Sequence, residues 1–380
     1  MPGQRGTPMS TRIDVVAIAR ELAPGFAERA AACDQTDAFV AESYADLKKR
    51  KLFSAGVPLE LGGGGATHRE LCAMLREIAH GCASSALAFS MHTHLVATTV
   101  CRWKHGATVE ALLRRIAAEE LVLVSTGGSD FVDSSGTAEK VDGGYRINAR
   151  KIFCSGAPAG QLLMTSAIAE DPQAGPTVLH FGVPFNANGV KVHDNWRTLG
   201  MRGTGSDDVT IEGVFVPEAS IGVRRPRGKW HIFWDVVSTV AWPLVYSAYL
   251  GAAEAARPIA LRQAARRRDD PTVQQLVGEM DAQYAAARLA VEAMIALAND
   301  YDFEPALDRT REAYLYKGLA TRGVLGAMER ALEVCGGSSY FRANGIERLF
   351  RDVQGARFHP WPEHKQHAFA GRIALGVDPV

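Results

Sequence analysis

The 380-residue sequence predicts an α+β protein in three parts: helices over residues 1–120, a β unit over 121–223 and helices again over 224–380. Three observations predict it. The outer parts repeat apolar residues every three to four positions, the period of a helix with a buried face. The middle part replaces that period with short β-branched or alternating runs divided by Gly, Asn and Asp turns. No helical period separates those runs, which excludes a βαβ dinucleotide fold and predicts an antiparallel unit.

In chain order, Asp14-Val15-Val16-Ala17-Ile18-Ala19 opens a first amphipathic helix and 69–80 forms another. Between them, Val57-Pro58-Leu59-Glu60-Leu61 and the glycines at 62–65 have loop chemistry. Residues 121–124, 145–148, 161–165 and 177–181 read as strands, with turns at Asp142-Gly143-Gly144 and Asn186-Ala187-Asn188-Gly189. The Ala-rich stretches 273–298 and 309–334 have the intrinsic propensity of long helices. Gly336-Gly337 then stands at a helix end, followed by the charged helical segment 346–352 and by His359-Pro360.

The length corresponds to about two or three domains. A hydrophobic share of 47% with 22% charged residues is that of a globular protein with a substantial core. Lys+Arg and Asp+Glu both number 42, so no global field draws nucleic acid or an anionic membrane. The cluster Arg266-Arg267-Arg268 meets Asp269-Asp270 at once and reads as a solvated helix end. No apolar run reaches the ~18–20 residues of a membrane span, and the first residues lack the apolar centre of a signal peptide. Six scattered cysteines without a CxxC pair favour buried thiols over disulfides or zinc. The expectation is a cytoplasmic enzyme without a nucleic-acid or membrane partner.

Paired glycines let backbone N–H groups approach an anion without a Cβ in the way, so Gly336-Gly337 reads as a phosphate seat or as a plain helix cap. Glycine pair, aromatic residue and Arg351-Asp352, in that order, resemble the C-terminal signature of the acyl-CoA dehydrogenase superfamily. Segments 57–65, 76–82, 145–156, 198–204 and Val216-Pro217 are similar to other motifs of that superfamily, in the same order along nearly the whole chain. The resemblance implies an N-terminal helical domain, a central antiparallel β-barrel and a C-terminal four-helix bundle, assembled as a homotetramer.

It also implies a flavin. Gly336 and Gly337 would face the FAD pyrophosphate with Ser129 nearby, while Phe153 and Ser155 would lie against the isoalloxazine. FMN is the alternative to FAD, because Glu333 stands where the family often has a Gln that touches the adenosine. The family's catalytic Glu position holds Pro360 here. Its alternate position holds Asp235, which reads as the base or as an ordinary helical Asp, and Glu363 is a second candidate. Val236 replaces an Arg of the coenzyme A region, which leaves open a carrier other than coenzyme A, or none.

His359 falls where two-component flavin monooxygenases of the superfamily carry a histidine, and His92 and His94 where the substrate cavity is lined. His92 and His94 cannot share a metal on one helix, since positions i and i+2 face apart. The preferred expectation is desaturation of a small or carrier-bound acyl thioester, with an electron-transfer partner. The alternatives are a monooxygenase served by a separate flavin reductase, with His359 and His92 in its site, and a non-catalytic member of the family.

Overall fold

The computed structural model describes residues 12–127 and 130–380. The N-terminal part holds five helices, α1 (Val15–Thr36), α2 (Ala41–Lys49), α3 (His68–Gly81), α4 (Ala83–Lys104) and α5 (Glu110–Glu119). Their starts follow from the sequence. Asp14 accepts from the Ala17 N–H at the head of α1, and Thr67 and Glu70 form a reciprocal capping box on α3.

The middle part holds β1 (Leu123–Ser125), β2 (Thr137–Val141), β3 (Gly144–Lys151), β4 (Leu162–Asp171), β5 (Gly175–Pro184), β6 (Val190–Val192), β7 (Val209–Pro217) and β8 (Val223–Pro226). They make one sheet in the order β6-β7-β3-β2-β4-β5-β8, with β1 also on β4. Most neighbours are antiparallel, but β1 and β2 each run parallel to β4, which corrects the wholly antiparallel expectation. The cause lies in the segment between β1 and β2. It leaves the sheet after β1, and the buried Lys151 holds it by the Asp130 carboxylate and the Ser135 carbonyl, so β2 rejoins β4 farther along instead of turning back as a hairpin. Val124, Ile147, Leu163, Leu179, Val183 and Ile211 fill the sheet's own core.

The C-terminal part is built on α6 (Ile232–Ala264), α7 (Pro271–Ala298) and α8 (Leu307–Cys335), with the shorter α9 (Ile346–Val353) and α10 (Glu363–Ala374). Helix α6 is long and apolar enough to pass for a membrane span, contrary to the sequence expectation. Its apolar window is 89% buried inside the protein, so it is the core helix shared by the two helical parts. Gly251 permits this: a Cβ there would stand 2.3 Å from the Arg76 carbonyl of α3.

All three parts meet at Arg351-Asp352 on α9. Arg351 donates to Asp34 of α1 at 2.6 and 2.9 Å, to Glu347 at 2.7 Å and to the Leu199 carbonyl at 3.0 Å. The neighbouring Asp352, buried, accepts from the Met201 N–H at 2.5 Å. A Cβ at Gly200 would lie 2.2 Å from the Arg351 carbonyl, so only glycine lets the 198–204 loop come this close. The Asp34 hydrogen bonds outweigh burial and push the Arg351 pKa further up. A second buried cation fixes the chain beyond α9. Lys317 of α8 donates to the carbonyls of His359 (3.2 Å) and Trp361 (2.9 Å), with its ammonium 5.0 Å from the Trp242 ring.

Replacing Arg351 by Met strands Asp34 in a nearly closed joint, and the expected loss is about 3 kcal/mol in chemical denaturation. Burial lowers the Lys317 ammonium to about 7 from 10.5. Between those values the unfolded chain binds the extra proton, so stability rises with pH. Urea unfolding should therefore show wild type gaining on Lys317→Met as the pH is raised from 7 to 9.

Candidate active site

A cleft of ≈ 1050 Å³ opens where the three parts meet. One helical wall is a stripe along α4, Leu87, Met91, His94, Leu95, Thr98 and Arg102, at the three-to-four spacing of a single helix face. Trp234, Val237, Ala241 and Val245 give α6 a matching stripe. The sheet contributes Ser125, Thr126, Phe153, Ser155 and Thr165. The chain after α9 supplies Phe358, His359 and Trp361.

The sheet side fits a flavin. Phe153 has φ 55°, in the left-handed region, and its large ring is 52% exposed, resting edge-on against Trp196 at 5.7 Å. A phenyl ring held in a strained backbone and left uncovered is suited to a flat ligand. The Ser155 hydroxyl is in hydrogen-bond contact with Ser206 at 2.7 Å, and Ser206 likewise with Thr204. The Thr165 hydroxyl is buried without a partner. Thr126 donates to Asp130 at 2.5 Å, and Asp130 in turn is bound by Lys151 at 2.8 Å. That buried pair anchors the loop bearing Thr126 and Gly127, and it occupies the Asp130 carboxylate.

Ser129 lies outside the described residues. Gly336 and Gly337 sit past the C-terminal end of α8 and do not line the cleft. Gly336 takes φ 59°, and a Cβ on Gly337 would meet nothing within 4 Å, so within one chain the pair ends a helix beside open space. The structure thus brings Phe153 and Ser155 together and leaves the two glycines apart from them.

Of the catalytic candidates, His359 faces the cleft, with Nε2 2.7 Å from the Tyr249 hydroxyl. Burial, then the charge of Lys317, lowers its pKa to about 3, so the imidazole is neutral near pH 7. His94 also lines the cleft, is lowered to about 4 by burial, and donates from Nδ1 to the Ser90 carbonyl at 3.2 Å. Nε2 is then its acceptor.

His92 and Asp235 are placed differently from expectation. His92 is fully buried behind the wall, accepting from the Leu123 N–H (3.0 Å) and donating to the Phe53 carbonyl (2.7 Å). Both its nitrogens serve to join α4 to β1 and the loop at Phe53. Asp235 is turned from the α6 stripe by the helical angle and faces α8, where Oδ1 accepts from Thr310 (2.6 Å) and Trp230 (3.0 Å). Burial raises its pKa, but it does not line the cleft. Glu363 pairs with Arg322 at the start of α10, also away from the cleft. Tyr249 was not foreseen, because a tyrosine inside an apolar helix carries no signal that separates a site residue from a core residue.

The chain matches the acyl-CoA dehydrogenase N-terminal domain over residues 15–120, the middle domain over 125–214 and the C-terminal domain over 245–361. It is 30% identical to the amino sugar nitrososynthase DnmZ of Streptomyces peucetius, covering 87% of this chain and 85% of that one. It is 28% identical to the dibenzothiophene monooxygenase of Mycolicibacterium goodii, covering 91% and 90%. The crystal structure of a nitrososynthase from Micromonospora carbonacea var. africana superposes with a TM-score of 0.87 at 26% identity, over 97% of this chain and 99% of that one. The helical, sheet and helical order, the three matching family domains and relatives that cover 87–97% of the chain together show that this protein belongs to the acyl-CoA dehydrogenase family and is a flavin oxidoreductase of that family.

Proposed function

We propose that this chain is the oxygenating component of a two-component flavin monooxygenase, supplied with reduced FMN by a separate reductase. The observation that carries the reading is the make-up of the cleft. Its inner walls present the neutral His359–Tyr249 pair and His94, while the carboxylates are engaged or peripheral: Asp130 is bound by Lys151, and Asp133 is exposed. Removal of an α-proton from an acyl thioester needs a base within reach, and Asp235, held by Thr310 and Trp230, is turned from the cleft. The expected desaturation therefore loses its base.

The relatives support the same reading. Beside the nitrososynthase and the dibenzothiophene monooxygenase stands a probable FMNH2-dependent monooxygenase of Pseudomonas putida, 26% identical over 93% of this chain. A structural neighbour at 27% identity and TM-score 0.85 was solved with FMN and a dTDP-linked amino sugar. FMN is favoured over FAD by the FMN in that neighbour and by the FMNH2-dependent relative.

When bound, reduced flavin gives two electrons to O₂, so that one oxygen atom can pass to substrate and the other leave as water. The chain's own residues do the rest. The exposed ring of Phe153, backed edge-on by Trp196, offers a face to the flavin ring, and the Ser155–Ser206–Thr204 hydroxyls offer its edge donors and acceptors. The α4 and α6 stripes keep bulk water out. A neutral His359 shares one proton with the Tyr249 hydroxyl, and Lys317 fixes the peptide on which His359 sits. The homotetramer belongs to this reading too: Leu289, Leu315 and Leu319 expose apolar side chains on α7 and α8 that a second copy would cover.

Mixing the protein and chemically reduced FMN with oxygenated buffer should return oxidised-flavin absorbance with a lag relative to free FMN. His359→Ala should shorten that lag by at least about tenfold. Return without any lag in the wild-type protein rejects the oxygenase reading.

A further inference from the structure

One cation on the wall of the cleft has no carboxylate to answer it. Arg102, at the end of the α4 stripe, donates to the Gly222 carbonyl at 3.1 Å and lies over the Phe233 ring at 6.0 Å. Among the described residues no Asp or Glu pairs with it, and burial alone acts on its pKa, lowering it. The other lining cations are placed differently: Arg351 is engaged by Asp34 and Glu347, and Lys365 is exposed. A half-buried guanidinium with most of its N–H groups unclaimed by protein acceptors is poised for an anionic group on a ligand.

His180 of β5 shares this corner of the cleft. Its ring lies 5.0 Å from the same Phe233 ring, and its carbonyl accepts from the Gly222 N–H at 2.9 Å, so Gly222 ties it to Arg102. The buried Arg225 donates from Nε to His180 Nε2 at 3.0 Å. A guanidinium only donates, so Nε2 is the acceptor and the proton sits on Nδ1. Burial, then the charge of Arg225, lowers the imidazole to about 3 and keeps it neutral. Its Nδ1–H has no partner among the described residues and is not sealed in the interior. A fixed cation and a neutral N–H thus flank one aromatic ring.

The corner is set apart from the flavin side. Phe153 and Ser155 follow β3, while His180 stands on β5, three strands away in the sheet order and roughly 14 Å at the usual strand spacing. On α4, His94 and Arg102 both face the cleft, about 12 Å apart along the helix. We infer that Arg102 and His180 anchor the single carboxylate of an elongated substrate whose far end lies beside His94. One guanidinium and one neutral N–H match one carboxylate, whereas a pyrophosphate carrier brings more charge than this corner offsets. Oxygenation of the far end rests on the function proposed above, but binding of the carboxylate does not.

Isothermal titration of the full-length protein with FMN present tests it, using octanoate, its neutral isostere octanamide, and thymidine diphosphate as probes. Octanoate should bind at least about tenfold more tightly than octanamide, a comparison that needs no variant. Arg102→Met should bring octanoate down to the octanamide level while leaving octanamide and FMN affinities unchanged, and Arg102→Gln serves if that variant does not fold. Equal binding of octanoate and octanamide overturns the inference. So does a loss of FMN affinity in step with octanoate, which would assign Arg102 to the flavin phosphate. Thymidine diphosphate binding more tightly than octanoate, and through Arg102, would assign the corner to a carrier and overturn it as well. The readout needs no turnover, so its failure would leave the flavin reoxidation result standing, and a failed reoxidation test would leave the titration readable.

Discussion

The guanidinium of Arg351 is the fastener on which the other features depend. It reaches a carboxylate of the first helix, a carbonyl of the loop after β6 and a glutamate one turn back on its own helix. The next residue, Asp352, takes the Met201 N–H of the same loop. All three parts are thus referenced to two adjacent side chains, and the cleft opens between them. Burial lifts the Asp352 pKa to about 6 even with that N–H against it.

Buried cations set the remaining loops. Lys151 draws in the segment between β1 and β2, and Lys317 holds the peptide of His359 and Trp361. Arg225 binds the carbonyls of Phe131 and Val132 and donates to His180. Each takes a piece of irregular backbone whose polar groups would otherwise be unsatisfied and fixes it from behind. The faces those loops turn to the cleft can then stay apolar or neutral. Catalytic-side order is bought with charges that the substrate never meets.

Much of the frame was legible because periodicity is local. The change of texture near residues 121 and 223 marks the sheet, and the family motifs fall in their expected order. What was missed depends on distance or phase. Strand β2 is short and mostly exposed, and its parallel pairing with β4 is set by a lysine in β3. Helix α6 is apolar nearly all round, so nothing in the sequence says which side Asp235 takes, and a turn of about 100° per residue decides it. The Arg351–Asp34 pair spans 317 positions, beyond any local pattern. Gly336 and Gly337 were legible as a helix end, whereas their distance from Phe153 was not.

The division of the cleft between a sheet side and two helical stripes has an engineering consequence. Met91 and Leu95 on α4, and Val237 and Ala241 on α6, face the cavity from regular helices and take no part in the Arg351 joint or the Lys317 clamp. Changes of side-chain size there alter the cavity wall without removing a hydrogen bond of the Arg351 joint or the Lys317 clamp. A fold so arranged can trade one ligand shape for another by surface relief alone, which makes these four positions the natural alphabet for a focused library.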